Sequence, residues 1–192
     1  MTKISLIVGL GNPGKEYAQT RHNAGFWFVE QLADRYDINL KADPKFYGIS
    51  GRGNIEGHDV RLLLPTTFMN RSGQSVVPFA KFYQIQPEAI LVAHDELDMN
   101  PGVIRLKTGG GHGGHNGLRD IVPHIGSNFH RLRIGIGHPG SKERVSGHVL
   151  GKAPKSEQDL MDAAIHHALS KTALLVEGQV SQAMNQINAY KP

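Results

Sequence analysis

The chain has 192 residues and a formal net charge of +4; 39% of residues are hydrophobic, 20% are charged and none is cysteine. At ~150 residues per domain this length favours one domain with its own core, and the composition excludes the disordered class. The absence of cysteine excludes disulfides, thiolate-bound metals, iron–sulfur clusters and cysteine nucleophiles, and fits a reducing compartment. The pattern then gives elements in order. Lys3 to Val8 is a short apolar, β-branched run, the signature of a buried strand. Asn23 is placed to cap a helix reaching about Tyr36, with Phe26, Val29, Leu32 or Ala33 and Tyr36 along one face. Phe46 to Arg52 and Asp59 to Leu64 read as strands around a turn at Glu56-Gly57-His58. Arg71 to Tyr83 reads as a helix interrupted by Pro78. Ala89 to His94 is a second buried strand, whereas Val103 to Lys107 and His130 to Ile136 alternate as exposed or edge strands do.

Asn116 to Ile125 reads as a short helix, and the stretch from Gly137 to Gly151, rich in Gly, Ser and charge, as a mobile loop. Pro154 and Ser156 open a long helix, Ser156 and Asp159 standing at capping-box spacing, and a last helix covers about Ser181 to Ala189. Strands interspersed with helices imply a single-domain, layered α/β fold with a mostly parallel, mixed central sheet flanked by helices. No apolar run approaches the ~20 residues that cross a bilayer. Met1-Thr2-Lys3-Ile4 lead into a strand with no signal-peptide core, so the expected location is the cytoplasm.

Two compositional features point to function. Glycine accounts for 23 residues, about 12% against a usual ~7%. Charge is uneven: Arg105 to Lys155 holds nine basic residues and two acids, giving +7 in that stretch and −3 elsewhere. Such asymmetry suits a polyanionic partner, and equally a solvated basic face.

Four clusters carry candidate chemistry. Gly9-Leu10-Gly11-Asn12-Pro13-Gly14 matches a dinucleotide fingerprint in spacing, but Pro13 blocks the helix that must open inside that motif. The better reading is a turn setting Asn12 beyond the strand's carboxyl end, where α/β folds build their sites. Thr20-Arg21-His22-Asn23 gathers polar side chains just before the apolar Phe26-Trp27-Phe28-Val29. His94-Asp95-Glu96-Leu97-Asp98 ends a buried strand, where a carboxylate can orient a histidine. A metal site at His94, Asp95 and Asp98 matches no ligand spacing we can justify. Gly109 to Gly117 has six glycines before a helix start, which suits close approach of an anion. His112 and His115 in that loop suggest metal only weakly, since glycines make a poor ligand frame. Lys107 and Arg119 flank the loop and favour phosphate nearby.

Taken in order, these motifs resemble the bacterial-type peptidyl-tRNA hydrolase family. The resemblance rests on Val8 to Gly14 with Tyr17, Thr20 to Gly25, Pro65 to Gly73, His94 to Asp98, Gly109 to Leu118 and Arg131 to Gly140. It runs from Ile4 to about Gly151; the last forty residues match only as helical pattern. It implies a monomeric esterase, free of metal and cofactor, that cuts the ester between a peptide and the terminal ribose of tRNA and so recycles tRNA from stalled translation. By position it makes His22 the general base on water and Asp95 its orienting carboxylate. Asn12 helps separate N-blocked from unblocked substrates, and Asn70 and Asn116 hold substrate or water. Tyr17 and Phe68 lie along the tRNA-end or peptide groove, and Lys107 and Arg133 meet tRNA phosphate. The chemistry agrees: an ester needs one base near neutral pH, a tautomer-fixing carboxylate and amide donors to the carbonyl, and no Gly-x-Ser-x-Gly motif is present. Three alternatives stay open at this point: a related RNA-binding protein without hydrolysis, a nucleotide-dependent oxidoreductase and a metal hydrolase.

Overall fold

A computed structural model describes residues 2–192; Met1, which the N-terminal reading includes, lies outside them. Seven strands form one sheet: β1 (Leu6–Gly9), β2 (Lys41–Asp43), β3 (Gly48–Ile55), β4 (His58–Pro65), β5 (Ile90–Glu96), β6 (Ile104–Thr108) and β7 (His130–Gly135), in the order β2-β3-β4-β1-β5-β7-β6. The central four, β4-β1-β5-β7, are parallel, and antiparallel partners close both sides. The mixed α/β architecture expected from the sequence is therefore present, its parallel part at the centre.

The two-residue side-chain period of the central strands builds two cores. Leu6 and Val8 of β1, with Ile90 and Val92 of β5, face helices α2 (Gly73–Phe82) and α3 (Asn116–Ile125) through Val76, Phe79, Leu118 and Ile121. Ile7, Leu91 and Ala93 face the other way, onto α1 (Ala24–Arg35), α5 (Lys155–Leu169), α6 (Thr172–Val176) and α7 (Val180–Asn188). Helices on opposite faces leave the carboxyl ends of β1, β4 and β5 open as a crevice, the usual place for a site in such sheets. Close backbone approach tightens that end. A Cβ on Gly25, in the first turn of α1, would overlap the Ala93 carbonyl oxygen, so α1 lies against β1 and β5 only because that residue is glycine.

Several expectations need correction. Asn23 makes no side-chain cap on α1; its amide pairs instead with the backbone of Asn12. Strand β7 is not an edge but lies between β5 and β6; its apparent alternation comes from Arg131 and Arg133, two cations on an interior strand. Gly137 to Gly151 contains a helical turn at Lys142–Arg144 and helix α4 (Val145–Val149), and Arg21 binds the His148 carbonyl at 3.0 Å. Ser156 makes no capping bond; α5 starts at Lys155 behind Pro154. Pro78 sits inside α2 on its exposed side, as does Gln74 one turn earlier, so the carbonyl it leaves unpaired can be hydrated. The edge strand β6 is covered by α7: Asn188 accepts from Leu106 N at 2.7 Å and donates to Leu106 O at 3.1 Å, mimicking a further strand.

Candidate active site

The crevice is a cavity of about 580 Å³ at the carboxyl end of the parallel strands. Its walls bring together segments far apart in sequence: Asn12 after β1, His22 in the helical turn Arg21–Asn23, Phe68-Met69-Asn70 after β4, Asp95 on β5 and Gly113 to Asn116 before α3. Val145, Val149 and Leu150 of the α4 region, with Leu97, complete an apolar side.

His22 is buried, and its Nδ1–H donates to both oxygens of Asp95, at 3.0 and 2.9 Å. A carboxylate can only accept, so this bond fixes the proton on Nδ1 and leaves the lone pair on Nε2, which has no partner within the described residues. Burial alone would lower the pKa of His22, but the charge and hydrogen bond of Asp95 outweigh it and hold the imidazole above its ordinary 6.5. Burial would likewise raise Asp95, yet the charges and hydrogen bonds of His22 and His115 keep its carboxyl well below the usual carboxylate range.

Asn12 is held on three sides. Its N–H donates to Asn23 Oδ1 at 2.8 Å, its carbonyl accepts from Asn23 Nδ2 at 2.9 Å, and its own Oδ1 accepts from Met69 N at 2.7 Å. The free part of Asn12 is therefore its Nδ2 amide, a pure donor. Asn116 is similar: Oδ1 accepts from Arg119 at 3.1 Å, leaving its amide NH₂. Asn70 and Asn116 are exposed on the rim, and Phe68 is 57% exposed, with Tyr17 edge-on to it at 6.2 Å between ring centroids.

Lys107 and Arg133 do not line this cavity. They lie in an adjoining one of about 320 Å³ with Arg131, His94, Asp98 and His112, the two cavities sharing Glu96 and Gly113. Arg133 donates to Glu96 at 3.1 Å. Arg131 turns inward and binds the carbonyls of Gly110, Gly111 and Ser127, pinning the glycine-rich loop. The metal reading of the strand end does not fit. His94 faces the second cavity, on the opposite side of β5 from Asp95, and burial together with the nearby His115 pushes its pKa down to about 3. Ligand atoms of His22, Asp95 and His115 do lie within 4.8 Å of one another. Both imidazoles, however, already spend the nitrogen facing Asp95 on a hydrogen bond to it.

Three residues have uses that the sequence reading did not assign: Asn23, read as a helix cap and as one of the polar residues ahead of α1; Arg131; and His115, read as a weak metal ligand in the glycine-rich loop. A histidine at the last position before a glycine-flanked helix start was the available signal for His115.

Comparison with known proteins accords with this geometry. A family model described as Peptidyl-tRNA hydrolase matches residues 6–192. A peptidyl-tRNA hydrolase of Acinetobacter baylyi is 87% identical over the whole of both chains, and one of Psychrobacter cryohalolentis is 63% identical over 98% of this chain and 97% of its own. The crystal structure of the Acinetobacter baumannii peptidyl-tRNA hydrolase superposes with a TM-score of 0.99 at 88% identity, covering 100% of this chain and 98% of that one. With the motifs in order, the site assembled and the match running to the last residue, this chain belongs to the peptidyl-tRNA hydrolase family.

Proposed function

We propose that this protein hydrolyses the ester between the carboxyl end of a peptide and the terminal ribose of tRNA, residues 1–192 acting as one catalytic domain. The observation that carries the reading is His22, whose Nδ1–H is committed to Asp95 while Nε2 is left as a base at a cavity lined by amide donors. His22 Nε2 takes a proton from water as the water oxygen bonds to the ester carbonyl carbon. The carbonyl electron pair moves onto oxygen, where the Asn116 amide stabilises it, while the free Asn12 amide meets the N-acyl group of the peptide. Collapse breaks the bond to the ribose oxygen, and the imidazolium returns its proton to that leaving oxygen. Asp95 holds the ring and stabilises its charged form between these transfers.

Asn70 holds substrate or water on the rim. Tyr17 and Phe68 flank the groove for the tRNA end or the peptide, and the apolar wall of Leu97, Val145, Val149 and Leu150 suits peptide side chains. Lys107 and Arg133 meet tRNA phosphate, supported by the +7 stretch in which they lie. Every role falls to one chain, which supports a monomer. The substrate class and the lack of cysteine support the cytoplasm, and no described helix is long and apolar enough to cross a membrane. The steps use no metal or cofactor.

The test is release of peptide from N-blocked peptidyl-tRNA, with unblocked aminoacyl-tRNA as the control. Release from the first, little from the second and no effect of EDTA are expected. Binding of tRNA without release would favour an RNA-binding protein instead, and EDTA-sensitive release a metal hydrolase.

A further inference from the structure

We propose that His115 is a positioning residue for the Asp95–His22 pair and sets the pH at which His22 becomes a base. The inference rests on the hydrolytic reading above, but its central measurement does not depend on activity.

Helix α3, like any helix, starts with N–H groups that have no intrahelical partner, and a cap must accept from them. The cap is the His115 ring: Nδ1 accepts from Gly117 N at 3.1 Å and Leu118 N at 3.4 Å. An imidazole can do this only with Nδ1 bare. Protonating it would set an N–H against two N–H groups at the positive end of the helix dipole. The single ring proton is therefore on Nε2, which lies 2.8 Å from Asp95 Oδ1 and donates to it. Backbone geometry at the helix start thus fixes the tautomer of His115 and aims its donor.

Asp95 Oδ1 is shared: it accepts from His115 Nε2 and, at 3.0 Å, from His22 Nδ1. Two effects follow. The second donor locks the carboxylate rotamer, hence the His22 ring and its open Nε2. It also draws electron density from the carboxylate, so Asp95 stabilises the His22 imidazolium less than it would alone. His115 restrains the rise in the pKa of His22 and keeps more of the base form at neutral pH.

The other groups around His22 leave this assignment in place. On β5, His94 meets His115 edge-on at 4.9 Å and spends its Nδ1 on the Asp95 carbonyl oxygen. Arg21 beside His22 turns to the His148 carbonyl on α4, while the His148 ring binds the Ile136 carbonyl. Glu96, Arg119 and Lys142 line the same cavity; Glu30, Asp34 and Arg35 of α1 do not.

His115→Asn separates the two uses of the ring. Asparagine is a good helix cap but is too short to reach Asp95. The imidazole of His22, followed by NMR, should titrate about one unit higher in the variant. The acid limb of the kcat/KM profile should move by the same amount, about a tenfold loss below the new midpoint and a smaller one on the alkaline plateau. A folded variant in which His22 titrates unchanged, or lower, overturns the proposal. If the variant does not fold, the unsubstituted protein decides. Ring ¹⁵N shifts of His115 should report a bare Nδ1 and an Nε2–H donor. A ring with its hydrogen on Nδ1 overturns it. A His22 shift in a protein that releases no peptide would leave this inference standing and remove the hydrolytic reading.

Discussion

The side-chain amide of Asn23 pairs with the backbone of Asn12 at both ends, accepting from its N–H at 2.8 Å and donating to its carbonyl at 2.9 Å. Both residues are buried, Asn23 to 1% exposure. The turn after β1 is thus held by an amide from the start of α1, and Met69 N takes up Asn12 Oδ1 from the third side. Only a donor is left to face the cavity. That donor suits the carbonyl of an N-acyl group and opposes a free α-ammonium, which itself offers only donors.

Asn12→Asp keeps the acceptor for Met69 N but replaces the free NH₂ with a second, charged oxygen. The ratio of activity on N-blocked over unblocked substrate should fall by roughly 10- to 100-fold, as when a hydrogen bond to a charged or strongly polar group is removed. Asn23→Asp loses the donor to the Asn12 carbonyl and should move the ratio in the same direction by less. Because the two act through one geometry, the double variant should resemble Asn12→Asp alone. Full additivity, or an unchanged ratio with normal folding, would separate Asn12 from substrate choice. Parallel assays on the two substrate types provide the measurement.

Lys107→Ala and Arg133→Ala should weaken tRNA binding and lower its salt slope by roughly 0.7 to 0.9 for each phosphate no longer neutralised. Cleavage of a minimal ribose ester should stay near normal, since neither residue lines the main cavity. Arg133 is held by Glu96 at 3.1 Å, so Glu96→Gln should release it without removing its charge. That variant should bind tRNA at least as tightly as the unsubstituted protein. A minimal substrate affected as severely as the tRNA substrate would rule out a phosphate role.

Gly25→Ala should destabilise the fold. Its Cβ would meet the Ala93 carbonyl oxygen and both Leu10 backbone atoms, so α1 must move off β1 and β5. Overpacking of this kind costs about 1–3 kcal/mol, and in a chain of this size each kcal/mol lowers Tm by roughly 2–4 °C. Thermal unfolding read by circular dichroism checks it; an unchanged Tm would show that the helix start yields freely.

The strands and helices with strong periods were legible because burial imposes the period: β1, β5 and α1 lie close to where the apolar pattern set them. Strand β2, three residues with exposed side chains, carries no pattern to read. The stretch before Gly151 looked like a loop because α4 has only five residues and is tied down from a distance, the His148 carbonyl to Arg21 among those ties. The same holds in the site. His22 and Asp95 stood out because their residue types announce acid–base chemistry. Asn23 and His115 did not, because their use depends on which atom is already engaged. Both sit where caps are expected, but only the folded chain reveals that one grips a turn eleven residues earlier and the other reaches a strand twenty residues earlier.

The pH dependence of the reaction follows from the raised pKa of His22. The base form is unprotonated, so kcat/KM should rise with pH through a single ionisation above 6.5 and then level. Stability moves the other way: an elevated histidine pKa contributes fully below 6.5, and this contribution is lost as pH rises through the folded value. The depressed Asp95 contributes above the unfolded carboxylate value of 3.8 and loses its contribution in acid, as pH falls through the folded value. His22→Ala should lose on the order of 10²–10⁴ in kcat while keeping tRNA affinity, because Lys107 and Arg133, the proposed phosphate contacts, lie in the adjoining cavity. Asp95→Asn should lose less, and its remaining activity should titrate at lower pH, since an amide no longer stabilises the imidazolium. The double variant should be little worse than His22→Ala, as the pair works as a unit. Single-turnover release of peptide across a pH series, with tRNA binding measured beside it, checks all three. A correctly folded His22→Ala protein that cleaves near the native rate would move the base to another residue.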